Sequence, residues 1–189
     1  THNTILFFTN KGLVYQLKGY EIPESGRTAK GTAIVNLLPL AKEETITAII
    51  PIKEFSKDRY LFMATRHGIV KKTGLSEFDT NRKKTGLIAL SLKENDELIG
   101  VKLTDGNRQI IIGTRDGMSI CFNEQDVRPM GRTARGVIGI KLKGEDTVIG
   151  MDNIRDDCEV LTVTEHGFGN RTATSEYRTQ TRGGIGLIN

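Results

Sequence analysis

The chain has 189 residues, of which 37% are hydrophobic and 26% are charged, and its formal net charge is +4. This composition predicts a folded chain with a core and excludes an intrinsically disordered one. No apolar run approaches the roughly 20 residues of a membrane-spanning helix, which excludes that class as well. Because the chain starts at Thr1-His2-Asn3, without an initiator Met or a signal-peptide pattern, we expect it to be part of a longer protein.

The first predicted elements are β-hairpins, and they recur four times. A threonine followed three residues later by a glycine ends an apolar run at 9–12, 65–68, 114–117 and 164–167. The glycine supplies the positive φ of a tight turn between two short strands rich in β-branched and aromatic residues. The predicted strand pairs are 4–8 with 13–15, 60–64 with 69–70, 109–112 with 118–122, and 159–163 with 168–170. Turn glycines spaced by 56, 49 and 50 residues indicate a repeat protein.

Each hairpin is followed by a second glycine and then by further predicted strands. The second glycines are Gly31, Gly86, Gly136 and Gly184. The strands after them are predicted at 32–35, 87–90, 137–140 and 185–188, and the next ones at 44–48, 96–100 and 146–150. Four strands in about 50 residues are typical of a propeller blade. We therefore predict an all-β, propeller-like domain over 1–189, with repeats 1–52, 53–103, 104–154 and 155–189. The truncated last repeat predicts an open or partial array.

Positive charge is concentrated in one part of every repeat. The segments between the paired glycines, 12–31, 68–86, 117–136 and 167–184, carry fourteen basic and seven acidic residues, whereas the other 112 residues carry thirteen and sixteen. Repetition aligns these segments along one edge of the array. A continuous positive band is suited to a polyanion that passes several blades, and duplex DNA is the obvious one.

The most repetitive piece is the loop before the second glycine. It reads GRTAKG at 26–31 and GRTARG at 131–136, and the other two copies lie at 81–86 and 180–184. Small residues let backbone N–H groups approach a phosphate, while Arg and Lys supply charge and donors. No recurring Asn or Gln pair could read bases, so we expect phosphate contacts and recognition of DNA shape. The alternative is a solvated connection whose charges serve solubility.

Three strings carry a resemblance to a known family. IVNLLPL at 34–40, VRPMGRT at 127–133 and the stretch 167–177, together with the repeat pattern, resemble the C-terminal domain of the bacterial DNA gyrase A subunit. The resemblance implies a β-pinwheel, a propeller relative in which neighbouring blades exchange a strand. It implies a non-catalytic domain that wraps duplex DNA around a basic rim, so that the cytoplasmic holoenzyme introduces negative supercoils.

The same resemblance implies partners and cofactors. The partners are duplex DNA, the remainder of the gyrase A subunit, and the gyrase B subunit. No cofactor is expected in this part of the enzyme, since ATP and magnesium belong to other domains. The candidate DNA-binding residues are Arg27, Lys30, Lys71, Lys72, Arg82, Lys83, Lys84, Arg128, Arg132, Arg135, Arg171, Arg178, Gln180, Arg182, Gly183 and Gly184. No catalytic or metal-ligating residue is assigned.

The family's basic box, Gln-(Arg/Lys)-Arg-Gly-Gly-(Arg/Lys)-Gly, is similar to residues 180–186. Thr181 and Ile185 replace its two variable basic positions. We therefore interpret this stretch as a degenerate copy and expect the full box upstream of Thr1. The related domain of the topoisomerase IV A subunit, which has a weaker box, remains an alternative. A propeller that binds a protein partner is an alternative of a different class, although aromatic residues make up only 6% of the chain.

Overall fold

The structure is a computed structural model that describes residues 2–80, 85–155 and 157–188. Its regular elements are β-strands and short 3-10 helices. The strands are β1 (Thr4–Thr9), β2 (Leu13–Lys18), β3 (Ile46–Ile52), β4 (Tyr60–Thr65), β5 (Ile69–Gly74), β6 (Leu87–Ile88), β7 (Leu98–Thr104), β8 (Gln109–Thr114), β9 (Met118–Asn123), β10 (Val137–Ile138), β11 (Val148–Ile154), β12 (Glu159–Val163), β13 (Gly169–Ala173) and β14 (Leu187–Ile188). The 3-10 helices are Gly19–Glu21, Ile34–Asn36, Leu75–Phe78, Glu124–Asp126 and Thr174–Glu176.

The four predicted hairpins are confirmed. β1 pairs with β2, β4 with β5, β8 with β9, and β12 with β13, all antiparallel. Each turn glycine has a φ between +73° and +82°, and its N–H donates to the threonine carbonyl of the motif at 3.0–3.2 Å. In the last three hairpins the threonine hydroxyl also accepts from the N–H that follows the glycine. The threonine thus closes the turn that the glycine makes possible.

The hairpins lie at the centre of four-stranded sheets that exchange a strand. The strand orders are β3-β1-β2-β6, β10-β5-β4-β7 and β11-β8-β9-β14, and the fourth sheet consists of β12 and β13. β6 belongs to the second repeat but pairs with β2 of the first, through Leu13 opposite Ile88. β10 and β14 are donated to the preceding sheet in the same way. The all-β, strand-exchanged and open architecture is therefore confirmed.

The strand predicted at 32–35 is wrong. A 3-10 helix, Ile34–Asn36, occupies this stretch. The equivalent strands β6, β10 and β14 are two residues long and exist only by pairing with the second hairpin strand of the preceding sheet, which is β2, β5 or β9. Among the described residues no sheet precedes β1, so residues 32–35 have no strand edge to join.

The glycine that opens the exchanged strand in the fourth repeat is Gly186, and the prediction of Gly184 is wrong. Gly136 and Gly186 have φ of +90° and +77°. A Cβ built on Gly136 would lie 2.5 Å from the Val70 carbonyl oxygen, and one on Gly186 would lie 2.5 Å from that of Ser119. With Gly86, these glycines are spaced by 50 residues. Positive φ and close approach to the accepting strand are what demand glycine here.

The core lies between successive sheets. Leu6 and Phe8 of β1 pack with Leu61 and Met63 of β4, and a second cluster joins the second and third sheets around Phe62 and the residues opposite it on β8 and β9. Phe78 is fully buried, and its ring meets that of Phe8 edge-on, with centroids 6.2 Å apart. Phe78, at the end of the 3-10 helix Leu75–Phe78, therefore has a structural role. The stacking fixes the spacing of the blades and hence of the loops on their outer edge.

The two cysteines are unpaired. Cys121 is buried in β9, whereas Cys158 is exposed at the start of the fourth hairpin. Burial raises the pKa of the Cys121 thiol. No helix of the described ranges has the length and apolar character needed to cross a bilayer.

Candidate nucleic-acid interface

Two of the basic loops, 131–136 and 181–186, occupy equivalent places on successive blades. The Met130 N–H donates to the Lys72 carbonyl at 2.8 Å, and the Gln180 N–H donates to the Cys121 carbonyl at 2.7 Å. Each contact attaches the start of a loop to the second strand of the preceding hairpin, which is β5 or β9. Ser91 N–H then binds the Ala134 carbonyl. These two loops are therefore attached at equivalent points of successive hairpins, while their alignment along one outer edge of the array stays a prediction.

Arg132 and Arg182 lie at matching positions in these loops and bind back onto the protein. Arg132 Nη1 donates to the Ile88 carbonyl at 3.3 Å, and Arg182 Nη1 donates to the Ile138 carbonyl at 3.1 Å. Ile88 and Ile138 end the exchanged strands β6 and β10. Both arginines remain half-exposed. Each guanidinium has five N–H donors, so one that holds an exchanged strand can still present donors to a ligand.

Six further candidates carry exposed cationic side chains. They are Arg27, Lys30, Arg128, Arg135, Arg171 and Arg178. Arg171 lies on β13 and forms an ion pair with Glu159 at 3.0 Å, which compensates part of its charge. Arg27 and Lys30 lie in the first basic loop, whose turn is closed by the Ala29 N–H donating to Gly26. These side chains give the outer edge its positive charge.

Lys71 and Lys72 have no exposed ammonium group, contrary to the sequence-based assignment. Lys71 is 0% exposed and Lys72 is 5% exposed. Lys72 Nζ donates to the Glu124 carbonyl at 2.9 Å and lies 5.4 Å from the centre of the Tyr60 ring. Burial lowers the pKa of Lys72, and the nearby Glu124 acts in the opposite direction. Both lysines therefore act inside the protein and are left out of the interface.

The backbone of the last loop is already hydrogen-bonded within the protein. The Gly183 N–H donates to the Gly139 carbonyl at 2.6 Å, and the Gly184 carbonyl accepts from Lys141 at 2.8 Å. Gln180 is half-buried, and its N–H is used to attach the loop. The expected approach of these backbone amides to a phosphate is thus contradicted for Gly183 and Gln180. Contacts to an anion fall to the side chains of Arg and Lys.

Three candidates, Arg82, Lys83 and Lys84, lie outside the described residues. Their loop, 81–86, ends at Gly86 and leads into the exchanged strand β6. The sequence equivalence of Arg82 with Arg132 and Arg182, at spacings of 50 residues, stays a prediction.

Lys93 and Lys141 lie beside the basic loops, although the sequence did not indicate either of them as a candidate. Lys93 and Arg135 line the same cleft of about 240 Å³, next to Ser91. Lys141 lies beside the last loop, because its N–H donates to Gly184. Lys93 and Lys141 fall after the second glycine, outside the segments in which charge was counted. The 50-residue spacing is a signal for Lys93, because Lys143 lies at the equivalent position of the next repeat. It gives no signal for Lys141, whose equivalent is Ser91.

The described part of the chain offers no grouping of three or more His, Cys, Asp or Glu side chains able to hold a metal ion. The clefts are lined mainly by loop and strand-edge residues, such as the one beside Asp152 and Arg155 at the junction of the third and fourth sheets. The chemistry that the outer edge can perform is thus binding of an anionic ligand through charged side chains.

Comparison with known proteins identifies one family. The family model described as the DNA gyrase C-terminal domain, β-propeller, matches residues 3–53, 59–105, 108–155 and 159–189. The DNA gyrase A subunit of Staphylococcus epidermidis is 51% identical over 190 residues, and that of Salmonella typhimurium is 48% identical over 188 residues. These alignments cover 99% and 100% of this chain but 21% of each relative, so the chain spans about a fifth of their length.

Two solved structures share the fold over 99% of this chain. The C-terminal domain of DNA topoisomerase IV superposes with a TM-score of 0.92 at 31% identity, over 58% of that chain. The DNA gyrase A C-terminal domain superposes with a TM-score of 0.82 at 27% identity, over 60% of that chain. The shape is thus shared by both kinds of domain. The gyrase A subunits of Staphylococcus epidermidis and Salmonella typhimurium are more identical in sequence to this chain than either solved domain.

Proposed function

Because this chain belongs to the DNA gyrase C-terminal domain family, we propose that it is a non-catalytic domain that binds and wraps duplex DNA for a type II topoisomerase. Its outer edge binds the phosphate backbone through the exposed cations of the basic loops. ATP hydrolysis and DNA cleavage are assigned to the other domains of the holoenzyme. The bend that the domain imposes serves the introduction of negative supercoils.

One observation carries this proposal. The basic loops 131–136 and 181–186 are held at equivalent points of successive blades by the same backbone contacts. Cations that recur at regular spacing on successive blades can contact the phosphates of a duplex that bends along them. Phosphate contacts of this kind fix the position of the DNA but carry no base information. We therefore infer binding without sequence preference.

A gyrase role is favoured over the topoisomerase IV role by sequence. The gyrase A subunits of Staphylococcus epidermidis and Salmonella typhimurium are about 50% identical to this chain. The solved topoisomerase IV domain, despite its TM-score of 0.92, is 31% identical, and the solved gyrase A domain is 27% identical. Thr181 and Ile185 interrupt the box-like stretch at 180–186, so the last loop of this chain contributes less charge than a full box would. Wrapping is accordingly shared among all the basic loops.

The direct test combines binding with topology. A nicked circular DNA is incubated with the chain, ligated, and analysed for its linking number. A positive shift is expected if DNA is wrapped in the gyrase manner, while binding without a shift would reduce the proposal to simple DNA binding. Affinity for a linear duplex should also fall steeply with salt, because counterions are released on binding. Affinity that stays constant between low and moderate salt would overturn DNA binding through the basic loops.

A further inference from the structure

Lys71 is a fully buried cation at the junction of three repeats. It lies on β5, and its Nζ donates to the Ala89 carbonyl at 2.7 Å and to the Arg132 carbonyl. Ala89 follows the exchanged strand β6, and its own N–H donates to Gly12 in the first hairpin turn. Arg132 lies in the basic loop of the third repeat. A single ammonium group therefore connects the first sheet, the second sheet and a DNA-binding loop.

The equivalent positions of the neighbouring blades carry no cation. Three residues after the turn glycine, the first repeat has Tyr15 and the third has Ile120, and both side chains are buried. In the first repeat, the Tyr15 ring packs against Gly86, the residue before the exchanged strand β6. A neutral side chain thus suffices to fill the site. The buried charge at Lys71 is a special feature of the second blade.

Two cationic side chains donate hydrogen bonds to the carbonyls of neighbouring residues at this site. Arg132 donates to the Ile88 carbonyl while Lys71 donates to that of Ala89. Burial and the charge of Arg132 lower the pKa of Lys71 to about 8, and Glu77, on the 3-10 helix after β5, acts in the opposite direction. The facing residues of β4 and of the segment 87–90 are uncharged. Lys71 therefore loses its proton under mildly alkaline conditions, because burial and the repulsive charge of Arg132 disfavour the ammonium form.

We propose that Lys71 is a positioning residue that couples DNA binding at the loop 131–136 to proton uptake. A phosphate bound at Arg132 compensates the guanidinium charge and favours the protonated form of Lys71. The charged Lys71 in turn strengthens its hold on the Arg132 carbonyl, because hydrogen bonds from an ionised donor are stronger. This inference rests on the proposed DNA-binding function and adds a linkage to it.

The linkage has a definite sign. Raising the pH removes the proton from Lys71 in the free protein before it does so in the complex, so binding weakens. At pH 8 the free protein is about half protonated at this site, so the complex is expected to take up a fraction of a proton, at most about half. Between pH 7 and pH 9 the affinity should fall by up to about tenfold.

The test is calorimetric titration of the chain with a duplex of about 30 base pairs at pH 8, in two buffers of different ionisation enthalpy. The difference in heat gives the number of protons taken up. Lys71→Arg keeps the charge but does not titrate, so its complex should lack the proton uptake at this site. Any proton uptake by other groups is common to both proteins and cancels in the comparison.

Arg132→Gln provides a second variant on the surface, in case Lys71→Arg does not fold. It removes the repulsive charge and should lower the proton uptake at pH 8 while also weakening binding. Equal uptake by the wild-type chain and a folded Lys71→Arg, with salt-dependent binding intact, overturns the coupling and leaves the proposed function standing. Absence of salt-dependent binding in the wild-type chain overturns both.

Discussion

Arg182 binds the carbonyl of Ile138 at 3.1 Å and thereby joins the fourth repeat to the strand that the third repeat donates to the second sheet. Its Nε also donates to the Asp126 carbonyl at 2.8 Å. Arg132 makes the equivalent contact to Ile88. Arg132 and Arg182, which are expected to contact DNA, therefore also hold the exchanged strands β6 and β10 in place. The position of the positive charge and the stability of the array thus depend on the same side chains.

Changing Arg182 to Ala should destabilise the chain. Two hydrogen bonds to partly exposed carbonyls are lost, and we expect the free energy of unfolding to fall by about 1 kcal/mol. Urea denaturation measures the change. Arg178→Ala is the matched control: its exposed side chain lies in the same repeat, and its effect should stay within about 0.5 kcal/mol. Equal losses in the two variants would contradict the role of Arg182 in fastening the exchange.

Gly136→Ala should be among the most disruptive small substitutions. The residue has a φ of +90°, and an added Cβ would lie 2.5 Å from the Val70 carbonyl oxygen and 2.9 Å from Ile69 Cγ2. The left-handed conformation alone costs about 1–2 kcal/mol for a residue with a side chain, and the contact adds to it. We expect a loss of more than about 2 kcal/mol in thermal or urea unfolding.

Gly131→Ala, in the same loop, is the control for Gly136→Ala. It does not need a positive φ, and nothing lies within 4 Å of its added Cβ. Its stability should match that of the wild-type chain or exceed it slightly, because alanine restricts the unfolded chain. If both variants lose the same stability, the close approach at Gly136 is not the cause.

Exposed and buried cations should affect DNA binding differently. Arg135→Ala removes an exposed charge, so the slope of log affinity against log salt should decrease by about one, equally for all DNA sequences. Arg132→Ala with Arg135→Ala should extend this uniform loss. Lys72→Met should leave the salt slope unchanged, because its ammonium group is occupied at Glu124. A sequence-selective loss in the Arg135 variant would contradict recognition through phosphates.

The hairpins were predictable from sequence because their signals are local. A threonine that closes the turn and a glycine with positive φ act within four residues, and they recur in every repeat. The strand expected at 32–35 could not be excluded in this way, since a donated strand depends on an edge supplied by another repeat. A count of charges along the sequence also could not distinguish the buried Lys71 from the exposed Arg135. Whether a basic side chain points outward is decided by neighbours distant in sequence, here the loop that closes over β5.

Ionisation of Asp146 should make the free energy of unfolding depend on pH. Its carboxylate accepts hydrogen bonds from the N–H groups of Asp116, at 3.0 Å, and Thr147, at 2.7 Å, and so ties the third hairpin turn to the start of β11. Burial alone would raise the pKa of Asp146, but these hydrogen bonds, one from Thr114 and the charge of Arg115 together hold it below 3.8.

Since the folded-state pKa of Asp146 is depressed, its contribution to stability is present above pH 3.8 and is lost as the pH falls through the folded-state value. The free energy of unfolding should therefore decrease on acidification. Asp146→Asn cannot ionise, so it should be less stable at pH 7 and show a shallower decrease below pH 4. Glu145→Gln alters the exposed neighbour and should keep the wild-type profile. Parallel profiles for Asp146→Asn and the wild-type chain in urea unfolding at pH 3 to 7 would show that this carboxylate does not fasten the turn.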